Sequence, residues 1–457
     1  MKKQLQIFFD FLRFCIGSTK EIPDSSKEAD WKELYAIAKK QCLVGILFDG
    51  IKKLPAEYVG MKKELLLQWM AESQMLEKAN VRLNDAAIQV SEWFRKKGFR
   101  TCILKGQGNA LLYPNPYSRT PGDIDIWVEG GDKRVISFVR SISPHEKACY
   151  HHIEFPSYKG VEVEVHYRPS FLLCFWHNRK LQKYYERVKE EQFSHRVMLK
   201  EQGEIAIPTV GFNLIFQLTH IFSHLMNEGI GLRQLLDYYY VLCDFYKVYQ
   251  ISSNPSVSLS KGSSTFSPSP SSSGSGDVTA PSRCSEPLRS KDGGPSKVSP
   301  NCAGWDRRDA IGDMTSATAS TSTDTSATAA RSSFAANSSA AIDRVQKELK
   351  ELGLWKFAGG IMYIMQEVFG MPASRLIVPP NEKYGRFVLN EVLEAGNFGK
   401  HDERNRFGRS KLGHNLQRVY RDMRLVRYFP AEALSEPFFR VWHFFWRLRW
   451  DFTYRLR

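Results

Sequence analysis

Three stretches decide the fold: Ile103-Leu104-Lys105-Gly106-Gln107-Gly108, then Arg119-Thr120-Pro121-Gly122-Asp123-Ile124-Asp125-Ile126-Trp127-Val128, then Val161-Glu162-Val163-Glu164-Val165-His166. In the last of them apolar Val161, Val163 and Val165 alternate with polar Glu162, Glu164 and His166, the period of a half-buried strand. The same reasoning predicts strands over 99–104, 123–128 and 152–155. Between the first two lie a Lys-Gly-Gln-Gly break, a short helical piece ending near Tyr113 and a Pro/Asn/Ser loop that carries Arg119. A further helix is expected at 132–142.

Residues two apart on a strand share a face, so Asp123 and Asp125 present paired carboxylates about 7 Å apart along one side of the sheet. Such a pair suits a hard divalent cation. Mg²⁺ is usually held by one or two carboxylates plus substrate phosphates, and a third carboxylate on a neighbouring strand completes a two-metal clamp. Glu164 is the first candidate for that third position and Glu162 the next. The Gly106 break between strand and helix is a place where backbone N–H groups can cradle a phosphate, with Lys105 adding a cation.

At these residues the chain resembles the nucleotidyltransferase superfamily that includes DNA polymerase β and the antibiotic nucleotidyltransferases, and more closely the bacterial branch described as an uncharacterised nucleotidyltransferase family. LKGQGNALLYP, the Arg119 loop, GDIDIWV, the His152 strand and EVHYRP match that branch in order, and GLRQLLD (231–237) resembles its helical follow-on motif. The resemblance covers about residues 30–245 and resumes more loosely after 343. It implies an α+β fold in which a small mixed β-sheet nucleotidyltransferase core is flanked by N-terminal and C-terminal helical regions. It also implies an NTP as substrate, Mg²⁺ (or Mn²⁺) as cofactor, and transfer of a nucleoside monophosphate to a hydroxyl acceptor. Carried over by residue, Asp123, Asp125 and Glu164 would hold the metal, Glu164 would help to deprotonate the acceptor, and Lys105 and Gly106 would sit at the triphosphate. The chain departs from the wider superfamily in having Lys105-Gly106 where Gly-Ser is usual, and Glu164 where Asp is more common.

Two further residues belong to this reading. Arg119 can grip a phosphate through its planar guanidinium and its loop leads straight into Asp123, the alternative being a solvated loop charge. His166 lies two residues beyond Glu164 on the same strand face and is expected at the same cleft, acting directly or orienting a carboxylate.

Outside the core the pattern is helical, which divides the chain into an N-terminal helical region (1–98), the core (99–210), a helical region (211–250) and a C-terminal helical basic region (342–457). Gly98 marks the expected end of a long helix running from Lys62. Residues 251–341 are dominated by Ser, Thr, Ala, Pro and Gly, too poor in apolar side chains to offset their ordering entropy, and are expected to be a disordered insertion. On the helix near Phe212, the polar residues Asn213, Gln217, His220, His224 and Asn227 form a stripe, read either as a cleft wall or, preferably, as a hydrogen-bonded seam between helices. Arg233 and Asp237 have the spacing of a helical ion pair.

The 457 residues carry a net charge of +15 from 64 Lys+Arg against 49 Asp+Glu. The insertion is nearly neutral, so this charge belongs to the remainder, about half of it in 401–457. There Phe439, Trp442, Trp446 and Trp450 fall near one helix face with Arg440, Arg447 and Arg449 between them. RNA or a membrane surface would suit such a helix, while plain packing of its aromatics onto the helical domain is the preferred reading. The 8 Cys are scattered without a CxxC pair, which points away from a zinc ribbon or disulfide framework and towards a cytoplasmic setting. Asp10 and Arg13 interrupt the N-terminal apolar run, which reads as an amphipathic helix rather than a signal peptide, and no transmembrane segment is expected. The alternative to an enzyme is a catalytically silent nucleotide-binding or scaffold protein that uses its basic, aromatic C-terminus for interaction.

Overall fold

The computed structural model describes residues 3–199, 203–251, 340–402, 404 and 411–455. The insertion expected over 251–341 lies outside the described residues apart from its ends, where Ile251 closes one helix and residues 340–351 form another.

Helices α1 (Lys3–Cys15), α2 (Trp31–Lys40), α3 (Val44–Ile51) and α4 (Lys63–Lys96) make up the N-terminal region. Ile7, Phe8, Phe11 and Leu12 recur at three- and four-residue spacing on α1 and are buried, so the amphipathic reading of the N-terminus holds. Asp30 caps α2 by accepting from the N–H groups of Lys32 and Glu33. Helix α4 stops where Gly98 takes a φ of 80°. The Phe99 N–H then donates to the Phe94 carbonyl and the Gly98 N–H to that of Arg95, closing the helix in a Schellman motif. The Phe94 and Phe99 rings meet edge to face across that stop, 6.2 Å apart.

The core follows as β1 (Thr101–Ile103), α5 (Gln107–Ala110), β2 (Ile124–Val128), α6 (Gly131–Ile142), β3 (His152–Tyr158) and β4 (Val161–His166). The strands form one mixed sheet in the order β1-β2-β4-β3, parallel between β2 and β4 and antiparallel at the other two joints. The α+β fold with flanking helical regions is therefore as expected. Helix α7 (Phe175–Ser194) and a hairpin of β5 (Arg196–Met198) and β6 (Glu204–Ala206) complete it.

Alternation sorts the sheet into two faces. Ile124, Ile126, Val128, Val163 and Val165 point to one side, where α4 and α6 cover them in a buried cluster. Each such fully buried side chain contributes about 1.5–3 kcal/mol relative to exposure. On the other side Trp127 packs on Phe193 of α7, with ring centroids 4.7 Å apart, and joins the larger helical core. The carboxylates of Asp125 and Glu164 share this side but lie beyond the cover of α7.

The helical stretch expected over 211–250 is two helices, α8 (Val210–Asn227) and α9 (Leu232–Ile251). The chain turns between them at Gly229, which has a φ of 119°. Among the described residues the α-helices that follow are α10 (340–351), α11 (Trp355–Glu367), α12 (Glu382–Ala395), α13 (Lys411–Leu425) and α14 (Pro430–Arg455). Of the α14 aromatics, Phe439 stacks on Phe171 against the larger helical core, as expected, whereas Trp446 and Trp450 lie against the α4–α6 side of the sheet core. Phe438, Trp442, Phe444 and Phe445 remain exposed. No described helix is long and apolar enough to cross a membrane.

Candidate functional site

The parallel register of β2 and β4 places Asp125 directly opposite Glu164. Asp123 stands one residue before β2, and one carboxylate oxygen from each of Asp123, Asp125 and Glu164 lies within 4.8 Å of the others. Glu162, the second choice from sequence, is exposed and takes no part in this group.

Lys105 reaches the same place from the end of β1. The Leu104 N–H donates to the Asp125 carbonyl at 3.0 Å, extending the ladder one residue past the strand and drawing Lys105 alongside. Gly106 then turns the chain with φ 63° and ψ −110°, a region that only glycine adopts freely. The Lys105 Nζ lies 3.0 Å from Asp125 Oδ1 and 3.1 Å from His220 Nε2. Burial opposes the ammonium charge, but Asp125, Asp123 and Glu164 outweigh it and hold the Lys105 pKa above its ordinary value.

Asp125 is 2% exposed. Its Oδ1 also meets His166 Nε2 at 3.0 Å, while its Oδ2 is buried with no hydrogen-bond partner among the described residues. Burial disfavours the carboxylate, yet Lys105 and His166 together lower its pKa. For Glu164 the burial penalty is likewise overcome, chiefly by the His166 hydrogen bond and the charge of His152, and its pKa falls to about 2. His166 mirrors this: burial pulls its pKa down, but the hydrogen bonds to Asp125 and Glu164 raise it to about 9. Burial leaves His152 lowered to about 4, and it lowers His151 and His220 well below their usual value.

A cavity of about 440 Å³ opens onto this group. Lys105, Asp123, Asp125, Glu164 and His166 line it, together with His151, His152, Phe171, His220, His224, Phe398 and Arg418 among others. A larger cavity of about 780 Å³ lies between α7 and α14, is lined by aromatic side chains together with polar and charged ones, and holds none of Asp123, Asp125 and Glu164. All three carboxylates line the smaller one.

The structure therefore brings together Lys105, Gly106, Asp123, Asp125, Glu164 and His166, and leaves Arg119 out. Arg119, expected at the triphosphate or in solvent, is buried and forks onto Asp237, with Nε–Oδ1 and Nη2–Oδ2 both at 2.8 Å. The Tyr113 hydroxyl donates to the same carboxylate at 2.7 Å. Asp237 is thus taken by Arg119 rather than by Arg233, which donates to the Thr120 carbonyl instead. The polar stripe on α8 divides in two: Asn213 bonds Asn109 in a buried seam, while His220, His224 and Asn227 line the cavity. Sequence reasoning missed His151, Phe398 and Arg418 as wall residues. The first had a signal in the His151-His152 pair, whereas the other two come from a distant turn and from α13, which nothing local places beside β2.

Residues 27–247 match the family model described as an uncharacterised nucleotidyltransferase, the branch that the motifs resemble. No curated protein and no solved structure matches the chain. The family points to nucleotidyl transfer in general.

Proposed function

With residues 27–247 belonging to the uncharacterised nucleotidyltransferase family, we propose that the carboxylate pocket moves a nucleoside monophosphate from an NTP to a hydroxyl acceptor, with Mg²⁺ (or Mn²⁺) as cofactor. The observation that carries this reading is the convergence of Asp123, Asp125 and Glu164 with a buried, partnerless oxygen on Asp125. A buried carboxylate oxygen without a donor is costly, and a cation beside it removes the cost, so the residues present fit the ion. Bound by these three carboxylates, Mg²⁺ would neutralise triphosphate charge and lower the pKa of the attacking hydroxyl.

In the transfer the acceptor oxygen bonds to the α-phosphorus while the bond from that phosphorus to the pyrophosphate oxygen breaks, and pyrophosphate leaves. The hydroxyl proton passes to a Glu164 carboxylate oxygen or to water. Lys105 and Arg418 both line the cavity and would supply positive charge to the polyphosphate. Phe171 and Phe398 give apolar surface against which a base or acceptor can rest. Arg119 acts at one remove: its fork onto Asp237 holds the loop that delivers Asp123.

Incubation of the purified protein with labelled NTPs, Mg²⁺ or Mn²⁺ and a cell extract should label an acceptor. If wild type and an Asp123→Ala/Asp125→Ala double variant label it equally, the assignment fails. The exposed Phe438, Trp442, Phe444 and Phe445 of α14 favour the second reading, a nucleotide-binding scaffold that engages a partner through its C-terminus. Calorimetry showing NTP binding without metal dependence or turnover would select it.

A further inference from the structure

The imidazoles beside the carboxylates form a donor set of their own. His166 Nδ1 lies 3.3 Å from the Arg168 carbonyl oxygen, and its Nε2 faces Asp125 Oδ1 at 3.0 Å and Glu164 Oε2 at 3.4 Å. With Nδ1–H donating to the carbonyl, Nε2 faces two carboxylate oxygens, through a proton when no ion is bound and through its lone pair once a metal ion displaces that proton. A lone pair facing carboxylates is repulsive unless a proton or a metal ion lies between them. Fixing a histidine tautomer through a backbone carbonyl is the common outer-shell device of metal sites. His152 is paired with His166 across β3 and β4, and its Nδ1 faces the same Glu164 Oε2 at 3.4 Å. One ligand atom from each of His152, Glu164 and His166 lies within 4.8 Å of the others.

We infer that His152, Glu164 and His166 form a second cation site, selective for a first-row transition-metal dication such as Mn²⁺, Co²⁺ or Zn²⁺, beside the all-oxygen group with which it shares Glu164. Imidazole nitrogen suits these ions, whereas Mg²⁺ prefers oxygen throughout. A neighbouring group of Cys149, His151 and His152 competes for His152. Glu164 decides between them, because it brings a full negative charge to the ion while a thiol must first lose its proton. The site needs only these donor atoms and does not depend on nucleotide turnover.

The test uses the full chain stripped of metal by a chelator, without nucleotide. Mn²⁺ is added and its electron spin-echo modulation read for imidazole ¹⁴N coupling, and Co²⁺ is titrated through its visible absorption. Wild type should show the ¹⁴N coupling. A His152→Gln/His166→Gln variant with wild-type circular dichroism should lose it and bind Co²⁺ at least about tenfold more weakly, while Asp123→Asn keeps it. A wild-type spectrum without ¹⁴N coupling overturns the site, as does a coupling unchanged in the double variant. Should the double variant not fold, the wild-type spectrum alone decides. Turnover of NTP with Mg²⁺ but no nitrogen coupling would sink this site and spare the transferase reading, and nitrogen coupling in a protein without turnover would do the reverse.

Discussion

Arg119 grips Asp237 through two parallel hydrogen bonds of 2.8 Å, joining the loop before β2 to the second turn of α9 across 118 positions of sequence. The pair is buried at both ends, so its removal and its rupture differ in consequence. Breaking it from one side leaves an uncompensated charge in the interior and should cost about 3–5 kcal/mol, whether by Arg119→Ala or Asp237→Ala. The double variant should cost much less than the sum of the two. Urea denaturation of all four proteins closes the cycle, and strict additivity would show that the pair is not coupled.

Gly45 of α3 lies against the same loop from the other side. A Cβ placed there would run into the Ser118 carbonyl oxygen, a backbone atom that cannot rotate away. Gly45→Ala should therefore destabilise the protein by about 1–3 kcal/mol and lower nucleotide turnover through displacement of Asp123. Thermal unfolding with the labelling assay checks both. A variant as stable and active as wild type would mean that α3 and the loop part easily.

In the metal-free protein His166 binds its proton more tightly than in the unfolded chain. Burial works against the charge, but Asp125 and Glu164 raise its pKa from 6.5 to about 9. Its contribution to stability is thus complete below about pH 6.5 and is lost as the pH rises through about 9. Denaturation at pH 6 and pH 10 should show a smaller difference for His166→Gln than for wild type. Equal differences in the two proteins would contradict the pairing.

Arg418 is an exposed side chain of α13 on the wall of the cavity. Loss of a charge-assisted contact to phosphate is worth about 1.5–3 kcal/mol, or roughly ten- to hundredfold in affinity. Arg418→Ala should weaken NTP binding by that factor while leaving the melting temperature unchanged. Calorimetry against wild type measures it, and an unaltered Kd would place the triphosphate elsewhere.

Most of the sheet was legible because alternation is local. Val161 to Val165 and the Ile124-Asp125-Ile126 run announce which side of each strand is buried before any partner is known. The end of α4 was legible for the same reason, since Gly98 satisfies a helix end within its own neighbourhood. The carboxylate group followed from Asp123-Ile-Asp125 and Glu-x-His once strands were assumed. Arg119 was misplaced because a guanidinium beside a loop has the same sequence signature whether it meets a phosphate or a buried aspartate. Asp237 had a nearer suitor in Arg233, and only the docking of α9 on the loop showed which arginine it takes.

The sequence by itself determined the identity of the metal-binding carboxylate candidates, the strands that present them and the helical character of the flanks, because those features depend on periods of two and of 3.6 residues along the chain, while the mixed sheet was implied by the family resemblance. The tertiary structure decided what surrounds them. The opposition of Asp125 to Glu164 is a matter of strand register, and the approach of His152 to Glu164 is a matter of β3 lying beside β4. Arg418 comes to the cavity from α13. Such contacts are made by side chains far apart in sequence, and their free energies depend on distance and burial, neither of which is written in the order of residues.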